Sequence, residues 1–242
     1  MAQRGFHEAG EKPRRFYKTV EVRAVEDGFE VTLDGRCPRS THGAKLVLPN
    51  AALAELCAEE WATQGEHIEL AGMHATRLAY TAIEAIPGSR DAVADQVAQY
   101  AGSDLLCYFA ETPEALVQRQ TEHWGPVLDR AEQEIALAFV RAVGIRHQAQ
   151  PAETLARVKA LALEGGDFAL AGLAFGAPLF GSAVLALALQ RGWLSGEQAL
   201  GLSRLDEAYQ QEKWGIDEEA AERTARLFVE ARMLERWFRA LD

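Results

Sequence analysis

The chain has 242 residues, 48% of them hydrophobic, 25% charged and 8% aromatic, which leaves room for a packed core in one large domain or two small ones. Lys and Arg number 25 against 36 Asp and Glu, a formal net charge of −11. This surplus of acid excludes a general nucleic-acid binder and attachment to an anionic membrane surface, both of which need a cationic face.

The opening stretch, Met1 to Lys12, is polar, carries Glu8 and Glu11 and lacks an apolar run, so it reads as a disordered start and not as a secretory or transit signal. From Phe16 to Leu48 the signals are those of strands. Val20, Val22 and Val25 precede Asp27-Gly28, a hairpin dipeptide. Phe29, Val31 and Leu33 then alternate with Glu30, Thr32 and Asp34, the period of a half-buried strand. Asp34-Gly35 is a second turn. Arg36 to Arg39 and Lys45 to Leu48 are short strand candidates around His42-Gly43. Asn50 is placed to cap a helix from Ala51 to about Thr63, with Leu53, Leu56, Cys57 and Trp61 on its apolar face. Ile68 to Leu70 is a strand or a linker.

After Met73 the pattern is helical. Met73–Ile86 and Ser89–Tyr100 are the first two helices, and Leu105 to Phe109 is a strand or an extended turn. Thr112-Pro113 reads as N-cap and first helical residue of a helix reaching about Val143, disturbed at Gly125-Pro126. Pro151–Leu163 follows, closed by Gly165-Gly166. Phe168 to Leu189 holds no charge and is long enough for a membrane span, but Gly176-Ala177-Pro178 interrupts it, so two internal apolar helices fit better. Ser195–Trp214 and Asp217–Leu241 complete the chain. In the last helix Ala220, Thr224, Leu227, Ala231, Leu234, Phe238 and Leu241 form one apolar seam, with acids in its first turns and arginines in its last. The class is α+β: a small N-terminal antiparallel β-rich domain, residues 1–72, followed by a larger all-helical domain, residues 73–242.

Signatures of chemistry are sparse. The sequence has no phosphate loop, no GxSxG elbow and no HExxH motif. Its three cysteines (Cys37, Cys57 and Cys107) are widely spaced without a CxxC pair, which fits reduced thiols in a cytosol-like compartment. His67, His74 and Cys57 match no metal-ligand spacing, and no cofactor or metal is expected. Trp61, Trp124, Trp193, Trp214 and Trp237 read as packing anchors, or as exposed anchors for a partner. In the segment from Arg204 to Gly215, Leu205, Ala208 and Tyr209 share a helical face, and Asp206, Glu207 and Glu212 form an acidic shoulder beside it. Acids beside an aromatic patch suit a partner surface that is apolar with a basic rim.

Six strings in register carry a resemblance over nearly the whole chain. They are Arg15-Phe16-Tyr17-Lys18, Leu33-Asp34-Gly35-Arg36, and Glu60-Trp61 with Gln64 and Met73. Then come Asp104-Leu105-Leu106-Cys107-Tyr108, Gln120 with Trp124 and Pro126, and Arg204-Leu205 through Tyr209-Gln210 to Trp214-Gly215. In this order they resemble the assembly chaperones that handle the α subunit of the F-type ATP synthase head in mitochondria and related bacteria. The resemblance implies a non-enzymatic, ATP-independent chaperone that keeps the unassembled α subunit soluble until the β subunit replaces it. It implies a monomer, located in the cytoplasm of a bacterium or the matrix of a mitochondrion. It points to Asp206 and Glu207 as important acids and to Glu60-Trp61 as a characteristic pair; with the neighbouring face, the partner-binding candidates are Asp206, Glu207, Tyr209, Gln210, Glu212 and Trp214, and the structural ones Glu60, Trp61 and Trp124. The sequence departs from the family pattern at His42, at His74, at Gly125 and at Asp206, where the family has Glu. Two alternatives stand beside this reading: a hydrolase-like enzyme with an unrecognised carboxylate or Cys/His site, and a membrane-anchored assembly factor.

Overall fold

The computed structural model describes residues 12–215 and 218–242. The expected disordered start, apart from Lys12, and the proposed helix start at Asp217 lie outside them. The chain divides into two compact units, one up to Arg77 and one from Leu78.

In the first unit β1 (Val20–Val25), β2 (Gly28–Leu33) and β3 (Val47–Leu48) form an antiparallel sheet in that order. The β1–β2 register runs from Val20 opposite Leu33 to Val25 opposite Gly28. Gly28 has φ +142°, and a Cβ there would sit 2.3 Å from the Leu48 carbonyl oxygen, so only glycine fits this corner. Asn50 Oδ1 accepts from Leu53 N at 2.9 Å and starts α1 (Ala51–Ala62), as the sequence indicates. Leu53, Cys57 and Trp61 of α1 and Val31, Leu33 and Leu48 of the sheet are buried. β2 departs from the half-buried pattern. Glu30 and Thr32 are buried as well, Glu30 paired with Arg23 and Thr32 Oγ1 donating to the Glu21 carbonyl at 3.3 Å. Arg36–Arg39 forms only isolated bridges.

The N-terminal strings are tie points of this unit. Tyr17 donates its hydroxyl to the Trp61 carbonyl at 2.7 Å, and the two rings meet edge to face at 5.8 Å. Asp34, in a left-handed turn, accepts from Lys18 N and Thr19 N at 3.0 and 2.8 Å, and these amides lower its pKa. Glu60 accepts from Ala75 N and Thr76 N, both at 2.8 Å, capping α2 (His74–Tyr80) from α1.

The second unit holds α3 (Arg90–Gly102), β4 (Tyr108–Phe109), α4 (Glu114–Ile135), β5 (Ala142–Val143), α5 (Ala152–Glu164), α6 (Gly166–Phe180), α7 (Ala183–Gln190), α8 (Gly196–Ser203), α9 (Leu205–Trp214) and α10 (Glu218–Leu241). With its short parallel β4–β5 pair, this part of the chain is predominantly helical, and the whole is α+β. Every residue of α7 from Ala183 to Leu189 is buried, and α6 packs on α3, α5, α7 and α10. Among the described residues no helix is long and apolar enough to cross a membrane.

Several boundaries differ from those expected. The apolar stretch breaks at Gly181-Ser182, not at Gly176–Pro178: Gly181 takes φ +63° and Ser182 Oγ accepts from Leu185 N, while Pro178 rides in the last turn of α6. One absent amide bond near a helix end costs less than opening two termini inside a core. Pro113, not Thr112, sits at the N-cap of α4, and the helix passes through Gly125-Pro126 to stop at Ile135, where Ala136 turns left-handed. The expected helix Ser195–Trp214 is two helices, broken at Arg204. Of the seam of α10 only Ala231, Leu234 and Phe238 are buried, joined by Met233 and Trp237 from outside it; before Ala231 no described residue of the helix is buried. There α8 crosses closely, since a Cβ on Gly196 would stand 2.2 Å from the Ala231 carbonyl oxygen.

Asp104 organises the centre. It is wholly buried and accepts from Ser182 Oγ at 2.7 Å, Val184 N at 3.0 Å and Leu106 N at 3.1 Å, joining the turn before β4 to the start of α7. Burial outweighs these donors and pushes its carboxyl up to about 6.

Candidate partner-binding face

The break at Arg204 sets α9 against α4, with Leu205 and Tyr209, four residues apart, buried. The α4 side contributes Arg119, Gln120 and Trp124. Trp124 is buried, donates Nε1 to the Leu202 carbonyl at 3.0 Å and meets Phe109 edge to face at 5.8 Å. Gln120 has no exposed surface. Its Oε1 accepts from Ala110 N at 2.7 Å and its Nε2 donates to Asp206 Oδ1 at 2.7 Å. A buried amide thus holds Asp206 in one orientation. The carboxylate is half-buried and lines a cleft of about 650 Å³ with Tyr108, Phe109, Glu111, Gly144 and Ile145.

The rest of the shoulder divides. Glu207, half-buried, pairs with Arg204 one turn back at 3.1 Å. Glu212 receives both terminal nitrogens of Arg119, at 2.7 and 2.8 Å, and this pairing holds its carboxyl below the usual range. The same guanidinium lies 5.2 Å from the centre of the Tyr209 ring, and Lys213 Nζ stands 5.5 Å from it. Tyr209 is therefore wedged under cations, 7% exposed, and Ala208, expected on its face, is exposed. Gln210 is exposed. The accessible aromatic is Trp214, 80% exposed, seven residues and two turns beyond Glu207 and hence on the same stripe of α9.

Among the structural candidates, Trp61 is buried with its Nε1 lacking a partner, and Glu60 caps α2, burial raising its pKa against the two amides. Arg119 and the exposed loop carrying Ile145 escaped the sequence reading, which ran a helix through residues 136–143. The Gly144-Ile145-Arg146-His147 sequence, polar around a lone isoleucine, was the available sign.

The Cys57 thiol is buried and its pKa is pushed up by desolvation, the opposite of an activated nucleophile. Among the described residues no three His, Cys, Asp or Glu side chains gather as a metal site.

Residues 14–132 match the family model described as ATP12 chaperone protein. The chain is 25% identical over 221 residues to the mitochondrial protein atp12 of Schizosaccharomyces pombe, covering 86% of this chain and 76% of that one. The solved structure of Atp12 from Paracoccus denitrificans superposes with a TM-score of 0.88 at 37% identity, over 95% of this chain and 99% of that one. The Atu1473 protein of Agrobacterium tumefaciens, named as a candidate chaperone, gives 0.90 at 41% identity over 95% and 87%.

Proposed function

We propose that this chain, which belongs to the ATP12 chaperone family, binds the unassembled α subunit of the F-type ATP synthase head and keeps it in solution until the β subunit takes its place. The observation that carries this reading is the α9 face. There Asp206, held by Gln120, and Glu207 stand on a helix that ends in an 80%-exposed Trp214. An exposed tryptophan is a frequent interface anchor, and acids beside it can serve in the polar rim. A subunit of an obligate ring exposes an apolar surface when alone. A cap with a polar rim covers that surface and yields to a tighter competitor, which takes binding energy and no chemical step. Glu212 and Tyr209 serve the face from within, by fixing Arg119 and the α9–α4 junction. The chain acts as a monomer, in the bacterial cytoplasm or, for its organellar relatives, the mitochondrial matrix.

The test is co-expression of the tagged chain with the α subunit, followed by addition of the β subunit. Wild type retains soluble α, and β displaces it. Glu207→Lys lowers retained α about ten-fold or more, the scale of an interface hot spot, with an unchanged melting temperature. If α stays insoluble beside the wild-type chain, the reading fails. If Glu207→Lys and Asp206→Lys both protect as well as wild type, the site lies elsewhere.

A further inference from the structure

Residues 137–150, of which 137–143 were expected to continue a helix, form a loop tied at its neck. Gln150 accepts from Val140 N at 2.8 Å and donates to the Val140 carbonyl at 2.9 Å, as a neighbouring strand would, and Thr154 Oγ1 donates to the Ala138 carbonyl at 2.7 Å. Within the loop β5 pairs in parallel with β4, Phe109 opposite Val143, and Gly144 N donates to the Phe109 carbonyl at 2.8 Å. Successive residues of a strand turn their backbone groups to opposite edges. With Gly144 facing β4, the N–H and C=O of Val143 face away, along the outer edge of what is, among the described residues, a two-stranded sheet. Three apolar side chains flank that edge: Val140 is 40% exposed, Val143 66% and Ile145 100%. Single exposed apolar residues are ordinary, but Val143 on an unpaired edge with Ile145 two residues on makes a template for another chain.

Gly144 and Ile145, just past β5, line the cleft that Asp206 also lines. It carries the carboxylates of Asp206 and Glu111, the rings of Tyr108 and Phe109, and no basic side chain. The site is thus acidic, partly aromatic and reached beside the end of β5.

We propose that this edge takes an extended segment of the client as a third strand beside β5. A Lys or Arg of that segment reaches into the cleft between Glu111 and Asp206, and its apolar neighbours cover Val143 and Ile145. The proposal rests on the reading of the α subunit as client. The chemistry fits a complex that must later be undone. A two-residue edge offers few main-chain hydrogen bonds, side chains at alternate positions supply selectivity, and the charge contact speeds encounter while remaining sensitive to salt.

The experiment uses the full chain, tagged and co-expressed with the α subunit, and reads soluble α retained per mole of chaperone. Ile145→Asp changes a fully exposed side chain, so it keeps the wild-type melting temperature and lowers retained α about ten-fold or more. Val143→Pro removes the outward N–H without touching the bond from Gly144 and has the same effect. Glu111→Gln lowers retention a few-fold and flattens its dependence on salt. Wild-type retention by Ile145→Asp, in a preparation where Glu207→Lys fails, overturns the strand-addition proposal and leaves the client assignment standing. A wild-type chain that retains no α removes both. A wild-type dimer that Ile145→Asp splits into monomers shows the edge to be covered by a second copy, and also overturns it.

Discussion

Asp104 and Asp206 both lie in strings that mark the family resemblance, and the structure gives them opposite surroundings. Asp104 has no exposed surface, and Ser182 Oγ, Val184 N and Leu106 N all donate to it, so its carboxyl is spent within the fold. Asp206 is half-buried, held by one donor from Gln120, and turned into an open cleft. The difference separates an acid that builds the protein from one that the protein presents. Glu60 in the first unit belongs with Asp104, and Glu207 with Asp206. Mutation can test this division, because spent acids should cost stability and presented acids should cost binding.

The largest effect falls at Asp104. Asp104→Ala strands the Ser182 hydroxyl and two backbone amides in a dry interior, at about 1–3 kcal/mol each before relaxation. We expect a loss of about 4 kcal/mol in urea unfolding and a melting point lower by roughly 10 °C. A loss below about 1 kcal/mol would remove Asp104 from the structural class.

Its pH signature has a definite sign. The folded carboxyl titrates at about 6, above its unfolded value of 3.8. A raised carboxyl contributes most stability below the unfolded value and loses it as pH climbs through the folded one, a swing of roughly 3 kcal/mol between pH 4 and 7. The wild type should therefore gain on Asp104→Asn as pH falls from 7 to 4, in urea melts of the two proteins. A constant gap across that range would mean that the buried carboxyl does not titrate there.

Glu60→Ala should be milder. It removes one acceptor from two amides at the start of α2, about 2 kcal/mol by the scale of lost helix caps. Near-neutral unfolding energetics would place Glu60 with the presented acids.

How far these roles were legible depended on whether their causes were local. The Asp27-Gly28 hairpin, the Asn50 cap and the helix after Pro151 are written in neighbouring residues, and they stand where the sequence put them. The end of α4 at Ile135 was not, because no glycine marks the left-handed Ala136, and the loop beyond it is shaped at Val140 by Gln150, ten residues away. The same holds for the break at Arg204. At the candidate site, the string around Asp206 was visible. The grip of Gln120 on Asp206, 86 residues apart, and the burial of Tyr209 beneath Arg119 are products of tertiary packing.

Glu212 is the smallest case and the sharpest check on the division. By exposure it looks like the most available acid on α9, yet Arg119 occupies both of its oxygens. A partner cation would have to displace a bidentate guanidinium that also covers the Tyr209 ring. Glu212→Gln should therefore change α-subunit retention by less than about two-fold, far below the effect of Glu207→Lys, because exposed ion pairs of this kind contribute little net energy. The salt dependence of retention should likewise stay as in wild type, since the charge removed is already neutralised within the chain. If Glu212→Gln instead weakens retention as strongly as Glu207→Lys, then Arg119 releases its partner on binding, and the division between spent and presented acids shifts with the client in place.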